Sequence, residues 1–157
     1  MKKIIMVSTN NTCRSFIAES ILRQYLLDAD QKNVEVISRG LVVLFPEPVH
    51  VKAADMVIKT CGIESLDFRS AQLTQEEVEE SDLILTMTEE QKDKILEEYH
   101  GYKEIATLNE YARVEGAIID PYGMEDDDYE RCFEQIARLV KENMARKTRR
   151  KQNDRYW

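Results

Sequence analysis

The stretch VSTNNTCRSFIAES, residues 7 to 20, gathers chemically capable side chains between an apolar run and a helical pattern. It holds a hydroxyl (Ser8), Thr9, two asparagines (Asn10, Asn11), Thr12, a thiol (Cys13), an arginine (Arg14) and a second hydroxyl (Ser15). This is the composition of a phosphate-binding loop between a strand and a helix. Backbone N–H groups of a tight loop, together with the amino end of the next helix, form an anion nest. Asparagine enters left-handed backbone conformations more readily than other non-glycine residues. Arg14 adds a planar fork that clamps two phosphate oxygens. The Gly-x-x-x-x-Gly-Lys spacing of a nucleotide loop is missing. Taken alone, an Asn-rich turn with an arginine is as readily a helix cap.

The elements that must position this loop are legible from periodicity. Residues 3–7 read as a short buried strand. Residues 15–27 carry a helical stripe of Phe16, Ile17, Ile21, Leu22, Tyr25 and Leu26. Residues 34–38 form a second strand, and a loop with Pro46 and Pro48 follows Gly40. A helix over 49–61 stops at Gly62. Thr74 and Glu77 make a capping box for a short helix to residue 80. Residues 82–87 are a third strand, Thr88 caps a charged helix to 99, and 105–108 are a fourth strand. A loop carries residues 120–123, and a final helix spans 127–147. This alternation predicts an α/β fold: a doubly wound, four-stranded parallel sheet with helices on both faces and the phosphate loop after the first strand. Ligands of such folds sit at the carboxyl ends of the strands.

The whole chain sets further bounds. Its 157 residues make one domain, with a basic tail from about residue 146. Composition is that of a folded soluble protein, 43% hydrophobic and 33% charged. No apolar stretch approaches a membrane span, and the start, MKKIIMVSTNN, is too short for a signal peptide. A cytoplasmic, monomeric protein without membrane contact is expected. Cys13, Cys61 and Cys132 are odd in number and widely spaced, which favours reduced thiols. His50 and His100 stand in no ligand spacing, so neither metal nor cofactor is expected. Net charge is -8, and the tail's cations suit a helix end, so nucleic acid is not an expected partner.

The loop resembles the active-site loop of the low-molecular-weight protein tyrosine phosphatase family, whose pattern is Cys, five residues, Arg, Ser. Val7, Asn11, Cys13, Arg14, Ser15 and the Ala18-Glu19 pair fall in place. Further along, Ser38-Arg39-Gly40 resembles the family's Ser-Ala-Gly, and Arg69-Ser70 with Gln72-Leu73-Thr74 its RS-x-QLT stretch. Asp82-Leu83-Ile84-Leu85 with Met87-Thr88 resembles its third strand, and Asp120-Pro121-Tyr122 its acid loop. The resemblance implies a two-step phosphoryl transfer from a phosphorylated protein or peptide. A nucleophile attacks phosphorus, loop amides and Arg14 hold the oxygens, and Asp120 protonates the leaving group and then activates water. Catalysis is thereby assigned to the residues at 8, 14 and 120. Thr9, Asn10, Asn11, Thr12, Cys13, Ser15 and Tyr122 hold the substrate or another oxyanion. The resemblance also makes Asn11 and Ser38 braces of the loop.

Ser8 departs from the pattern where it matters most. It occupies the position of the nucleophilic cysteine, and a serine hydroxyl ionises far too weakly for loop dipoles alone to activate it. The chain is expected to bind phosphate and to turn over poorly or not at all. Intact Arg14, Asn11, Ser15 and Asp120 fit an introduced Cys-to-Ser change better than a natural phosphate-reading pseudoenzyme, a choice that the genomic codon at position 8 decides. Smaller departures are Asn10 in place of glycine, Phe16 in place of proline, and Phe68 in place of histidine, the last expected to remove a polar support. Thr12 resembles the bacterial protein-arginine phosphatases, where tyrosine-specific members carry a larger aliphatic residue. A thioredoxin-coupled arsenate reductase needs more cysteines, and residues 62–111 contain none.

Overall fold

The computed structural model describes residues 2–65 and 67–154, and side chains as far as Met144. Its elements, in chain order, are β1 (Lys2–Ser8), α1 (Arg14–Asp28), β2 (Val34–Gly40), α2 (Val51–Cys61), α3 (Gln75–Glu80), β3 (Leu83–Thr86), α4 (Glu89–Glu98), β4 (Ile105–Thr107), α5 (Leu108–Ala112) and α6 (Asp126–Asp154). The side chains of the basic tail from about 146 lie outside the described residues.

All strand pairings are parallel, in the order β2-β1-β3-β4. β1 is central, and its period-two alternation divides the core. Ile4 and Met6 join Phe16, Ile17, Leu22, Phe133 and Ile136 on the face covered by α1, α2, α5 and α6. Ile5 and Val7 join Val78, Ile84 and Ile95 beneath α3 and α4. Because both faces are covered, β1 reads as a continuous apolar run rather than an alternating one. Each fully buried isoleucine contributes about 1.5–3 kcal/mol relative to exposure. The expected doubly wound four-stranded sheet is therefore the observed one. The chain moves from β1 outward to β2 and then returns to β3 on the other side, so the loop after β1 lies at the topological switch point. Among the described residues no helix is long and apolar enough to cross a membrane.

Two elements differ from the sequence reading. Residues 105–108 do not stay extended: Thr107 Oγ1 accepts from the Glu110 N–H at 2.9 Å and the Thr107 N–H donates to Glu110 Oε1 at 3.1 Å. That capping box starts α5 at Leu108, and the T-x-x-E signature was present to be read. The final helix runs on to Asp154 instead of ending at 147. Gly40, where β2 ends, has a steric reason: a Cβ there would lie 2.5 Å from Val43 Cγ2 and 3.0 Å from the Thr9 carbonyl oxygen. The phosphate loop passes too close for any side chain.

One buried carboxylate bears on stability. Glu19 on α1 is 8% exposed, and burial raises its carboxyl above the ordinary 4.5, opposed by Arg23 at 3.7 Å. Above pH 4.5 the folded state then binds more protons at this site than the unfolded state does, so stability falls as pH rises through that window. Glu19→Gln is expected to raise Tm at neutral pH, with the advantage fading below pH 4.5. Thermal melts of both proteins across pH 4 to 8 check it; an advantage that grows on acidification has the wrong sign.

Candidate active site

Between the end of β1 at Ser8 and the start of α1 at Arg14, residues 9–13 reverse the chain. Asn11 makes this possible with φ 59°, while Asn10 is not among the residues of positive φ. Asn10 therefore needs no glycine-like freedom. Asn11 is fully buried, and its N–H and side-chain amide tie the loop together and to the residues before α3. Its N–H donates to Ser8 Oγ at 3.3 Å, its Nδ2 to Ser15 Oγ at 2.9 Å, and its Oδ1 accepts from the Ala71 N–H at 3.0 Å. Ser8 Oγ and Ser15 Oγ lie 2.6 Å apart. α1 has no side-chain cap and no acid in its first turn, whereas α3, α4 and α5 each have both. The orphan amides of α1 thus keep their positive potential for an outside anion.

Arg14 is 6% exposed and is aimed by the acid loop. Its Nη1 donates to the Ile118 carbonyl at 2.9 Å, and its Nη2 lies 3.7 Å from Asp120 Oδ2. Ile118 is itself tied to the residue just after β3 through its N–H to the Met87 carbonyl, 3.1 Å. Asp120 Oδ1 accepts from the Tyr122 N–H at 3.1 Å. The turn then closes by the Met124 N–H to the Pro121 carbonyl at 2.9 Å, with Gly123 at φ 76° in the third position.

One pocket is lined by Ser8, Asn10, Asn11, Thr12, Cys13, Arg14, His50, Asp120, Tyr122 and Tyr129. Eight of these were expected from the sequence. Thr9 and Ser15 do not line it. Thr9 Oγ1 accepts from Gln91 Nε2 at 3.0 Å, anchoring the loop to α4, and Ser15 is wholly buried beneath Ser8.

The structure adds three residues and moves several roles. His50, the N-cap of α2, donates its N–H to the Thr12 carbonyl at 2.8 Å. Its Nδ1 accepts from the Lys52 N–H at 3.3 Å, so Nε2 carries the proton and faces Tyr129 Oη at 3.4 Å. The two rings stack at 5.0 Å, with Tyr122 edge-on to His50 at 6.4 Å. Cys132, expected only as a reduced thiol, is buried and faces Cys13. The Cys132 thiol and burial push the Cys13 thiol well above its ordinary value, and the Cys13 S–H lowers that of Cys132, so only one of the pair ionises. Ser38 makes no hydrogen bond to the loop: its buried hydroxyl lies beside the Glu19 carboxyl, whose charged form it favours.

Phe68 does not leave the loop unsupported. It packs on Phe16 with centroids 4.6 Å apart, a contact worth about 0.5–1.5 kcal/mol beyond area, so the two departures from the family pattern complete each other. The polar brace comes from backbone instead, through Ala71 to Asn11 and to the Gly40 N–H at 2.8 Å. Of the acidic run before and within the first turn of α6, Asp126 pairs with Lys52 at 2.7 Å and Asp128 pairs with Arg131. These acids serve the helix end more than the pocket.

The geometry predicts that inorganic phosphate or sulfate binds between residues 8 and 15. Arg14→Ala is expected to remove most of that affinity, since a charge-assisted bidentate contact is lost. Calorimetric titration of both proteins measures it; an unchanged affinity would place the anion elsewhere.

Comparison with known proteins agrees with this geometry. Residues 3–153 match the sequence profile of the low molecular weight phosphotyrosine protein phosphatases. A low molecular weight protein-tyrosine-phosphatase PtpB from Staphylococcus haemolyticus is 36% identical over 138 residues, 88% of this chain and 94% of its own length. Among solved structures, the YwlE arginine phosphatase from Geobacillus stearothermophilus has a TM-score of 0.84 at 28% identity, covering 100% of this chain and 99% of its own. A Cys-to-Ser mutant of a YwlE arginine phosphatase, with a phosphorylated active-site serine, has a TM-score of 0.81 at 29% identity and covers 98% of this chain and 97% of its own. The chain belongs to the low molecular weight phosphotyrosine protein phosphatase family.

Proposed function

We propose that this pocket is the active site of a protein phosphatase acting on phosphoarginine, with its catalytic cycle interrupted at Ser8. The observation that carries the reading is the convergence of Ser8, Arg14 and Asp120 on one pocket with Thr12 in its wall. Loop amides and Arg14 take the equatorial phosphoryl oxygens. The residue at the end of β1 stands beneath phosphorus for in-line attack. Asp120, at the mouth, supplies a proton to the leaving nitrogen and afterwards deprotonates the attacking water. Ser15 and Asn11 orient the nucleophile. The similarity to arginine phosphatases supports the choice of substrate, while the PtpB relatives are named tyrosine phosphatases.

Thr12 separates the two substrates physically. A guanidinium is flat, polar and cationic, so a short hydroxyl-bearing wall admits it together with the water of the second step. An aliphatic wall rewards an aromatic ring by apolar contact. In a Ser8→Cys background, Thr12→Ile is expected to shift preference toward phosphotyrosine by roughly 10–200-fold in relative kcat/KM. The assay is the ratio of kcat/KM for phosphoarginine and phosphotyrosine peptides in both proteins. An unchanged ratio removes Thr12 as selector, and a phosphotyrosine preference with Thr12 in place sinks the arginine reading.

A further inference from the structure

We propose that Tyr129 reads the leaving group: its phenol oxygen, held in place by His50, accepts a hydrogen bond from the guanidinium of the bound substrate. The inference rests on the phosphoarginine reading above and sets a second specificity-determining residue beside Thr12. Tyr129 stands in the first turn of α6 and is 3% exposed, yet it lines the same pocket as Arg14 and Asp120. Among the described residues its Oη has one hydrogen-bond partner, His50 Nε2 at 3.4 Å. Nε2 carries the proton because Nδ1 is committed to the Lys52 N–H, so the phenol oxygen is the acceptor there. One lone pair and the hydroxyl proton are left for an occupant of the pocket. Burial raises the phenol above its ordinary 10, so that occupant meets an uncharged hydroxyl.

The two candidate substrates treat this oxygen differently. A guanidinium carries N–H donors around its edge and no acceptor, so it needs oxygens beside it. The ring of a phosphotyrosine has no donor to offer and would leave the lone pair buried and unpaired. A site built to bond an N–H discriminates strongly against an analogue that lacks it, for that reason. His50 presents both selectors at once. Its N–H holds the Thr12 carbonyl at 2.8 Å, and its ring stacks on Tyr129 with centroids 5.0 Å apart. Thr12 and Tyr129 therefore stand in one wall, with His50 as the positioning residue between them. Lys52 Nζ lies 4.9 Å from the centre of the Tyr129 ring and would repel a cation, but Asp126 neutralises it at 2.7 Å.

The test is Tyr129→Phe in the Ser8→Cys background, which keeps the ring beneath His50 and removes only the hydroxyl. The quantity measured is kcat/KM for a phosphoarginine and a phosphotyrosine peptide. Their ratio is expected to fall roughly 10–100-fold, the worth of a hydrogen bond to a charged group. The loss on phosphoarginine should lie mainly in KM, since the guanidinium N–H is present in ground state and transition state alike. His50→Asn keeps an acceptor for the helix cap and the backbone hold on Thr12, but its shorter side chain does not reach Tyr129. It should lower the ratio as well, and add little in the Tyr129→Phe background. Equal losses on both substrates, or two substitutions that add in full, would make the pair a packing element and overturn the proposal. An unmoved ratio on Tyr129→Phe overturns it alone and leaves the phosphatase reading standing. A phosphotyrosine preference in Ser8→Cys itself sinks the arginine reading and this proposal together, and no turnover of either peptide removes the phosphatase reading too.

Discussion

Ser8→Cys should raise turnover of phosphoarginine and aryl phosphates by on the order of 10⁶-fold, the scale of a nucleophile's worth in covalent hydrolases. A free thiol has a pKa of about 8.5, which falls to roughly 3.5–7.5 at a helix amino end. The end of α1 is uncapped and without acids, so a thiol at position 8 would ionise there at neutral pH. No comparable gain is open to a hydroxyl, whose ionisation lies too far above neutrality for the same dipoles. The remaining parts need no rebuilding: Arg14 is already held by the Ile118 carbonyl, and Asn11 already fixes the loop. The thiol would also leave readily in the second step, so the phosphorylated state would turn over instead of persisting. Phosphate release under single- and multiple-turnover conditions separates the steps. A cysteine variant no faster than the serine chain would falsify the phosphatase reading of this pocket.

What could be read from the sequence follows from what is local. Asn11, Arg14 and Ser15 stand within one loop and one helical turn, where spacing alone fixes their relations. The sheet was legible because β1 and β3 are short apolar runs, and the helices because Thr74, Thr88 and Gly62 mark their ends. His50 and Tyr129 escaped because each reaches the pocket only through the packing of α2 and α6 on α1, and the approach of Cys132 to Cys13 has the same origin. No periodicity distinguishes a tyrosine that faces a pocket from one that faces a core. Phe68 shows the opposite error. Judged singly it looked like a lost polar support, yet with Phe16, 52 positions away, it forms a contact that neither residue predicts alone. Ser38 matched the family's motif by position, while the bonds it was expected to make are supplied by backbone at Ala71.

Asp120→Asn in the Ser8→Cys background should lower kcat by about 10²–10⁴-fold on phosphoarginine, the usual contribution of a general acid. The asparagine keeps the shape of the side chain and can still accept from the Tyr122 N–H, but it has no proton to give. Two roles compete for Asp120, since its Oδ2 also lies 3.7 Å from Arg14 Nη2 and could serve only to aim the guanidinium. Leaving-group dependence tells them apart. Loss of an acid hurts a substrate in proportion to how much its leaving group needs a proton, so phosphoarginine and simple alkyl phosphates should suffer the full drop. An aryl phosphate with an acidic phenol departs as the anion and should lose little in its first step. A positioning role would weaken phosphoryl binding itself and depress all substrates alike, with KM rising. The measurement is kcat and KM for a series of esters of graded leaving group in both proteins. Values of kcat/KM, which report the first step alone, that fall equally across the series would leave Asp120 as the partner of Arg14 and require another proton donor, for which Tyr129 in the same wall is the next group to replace.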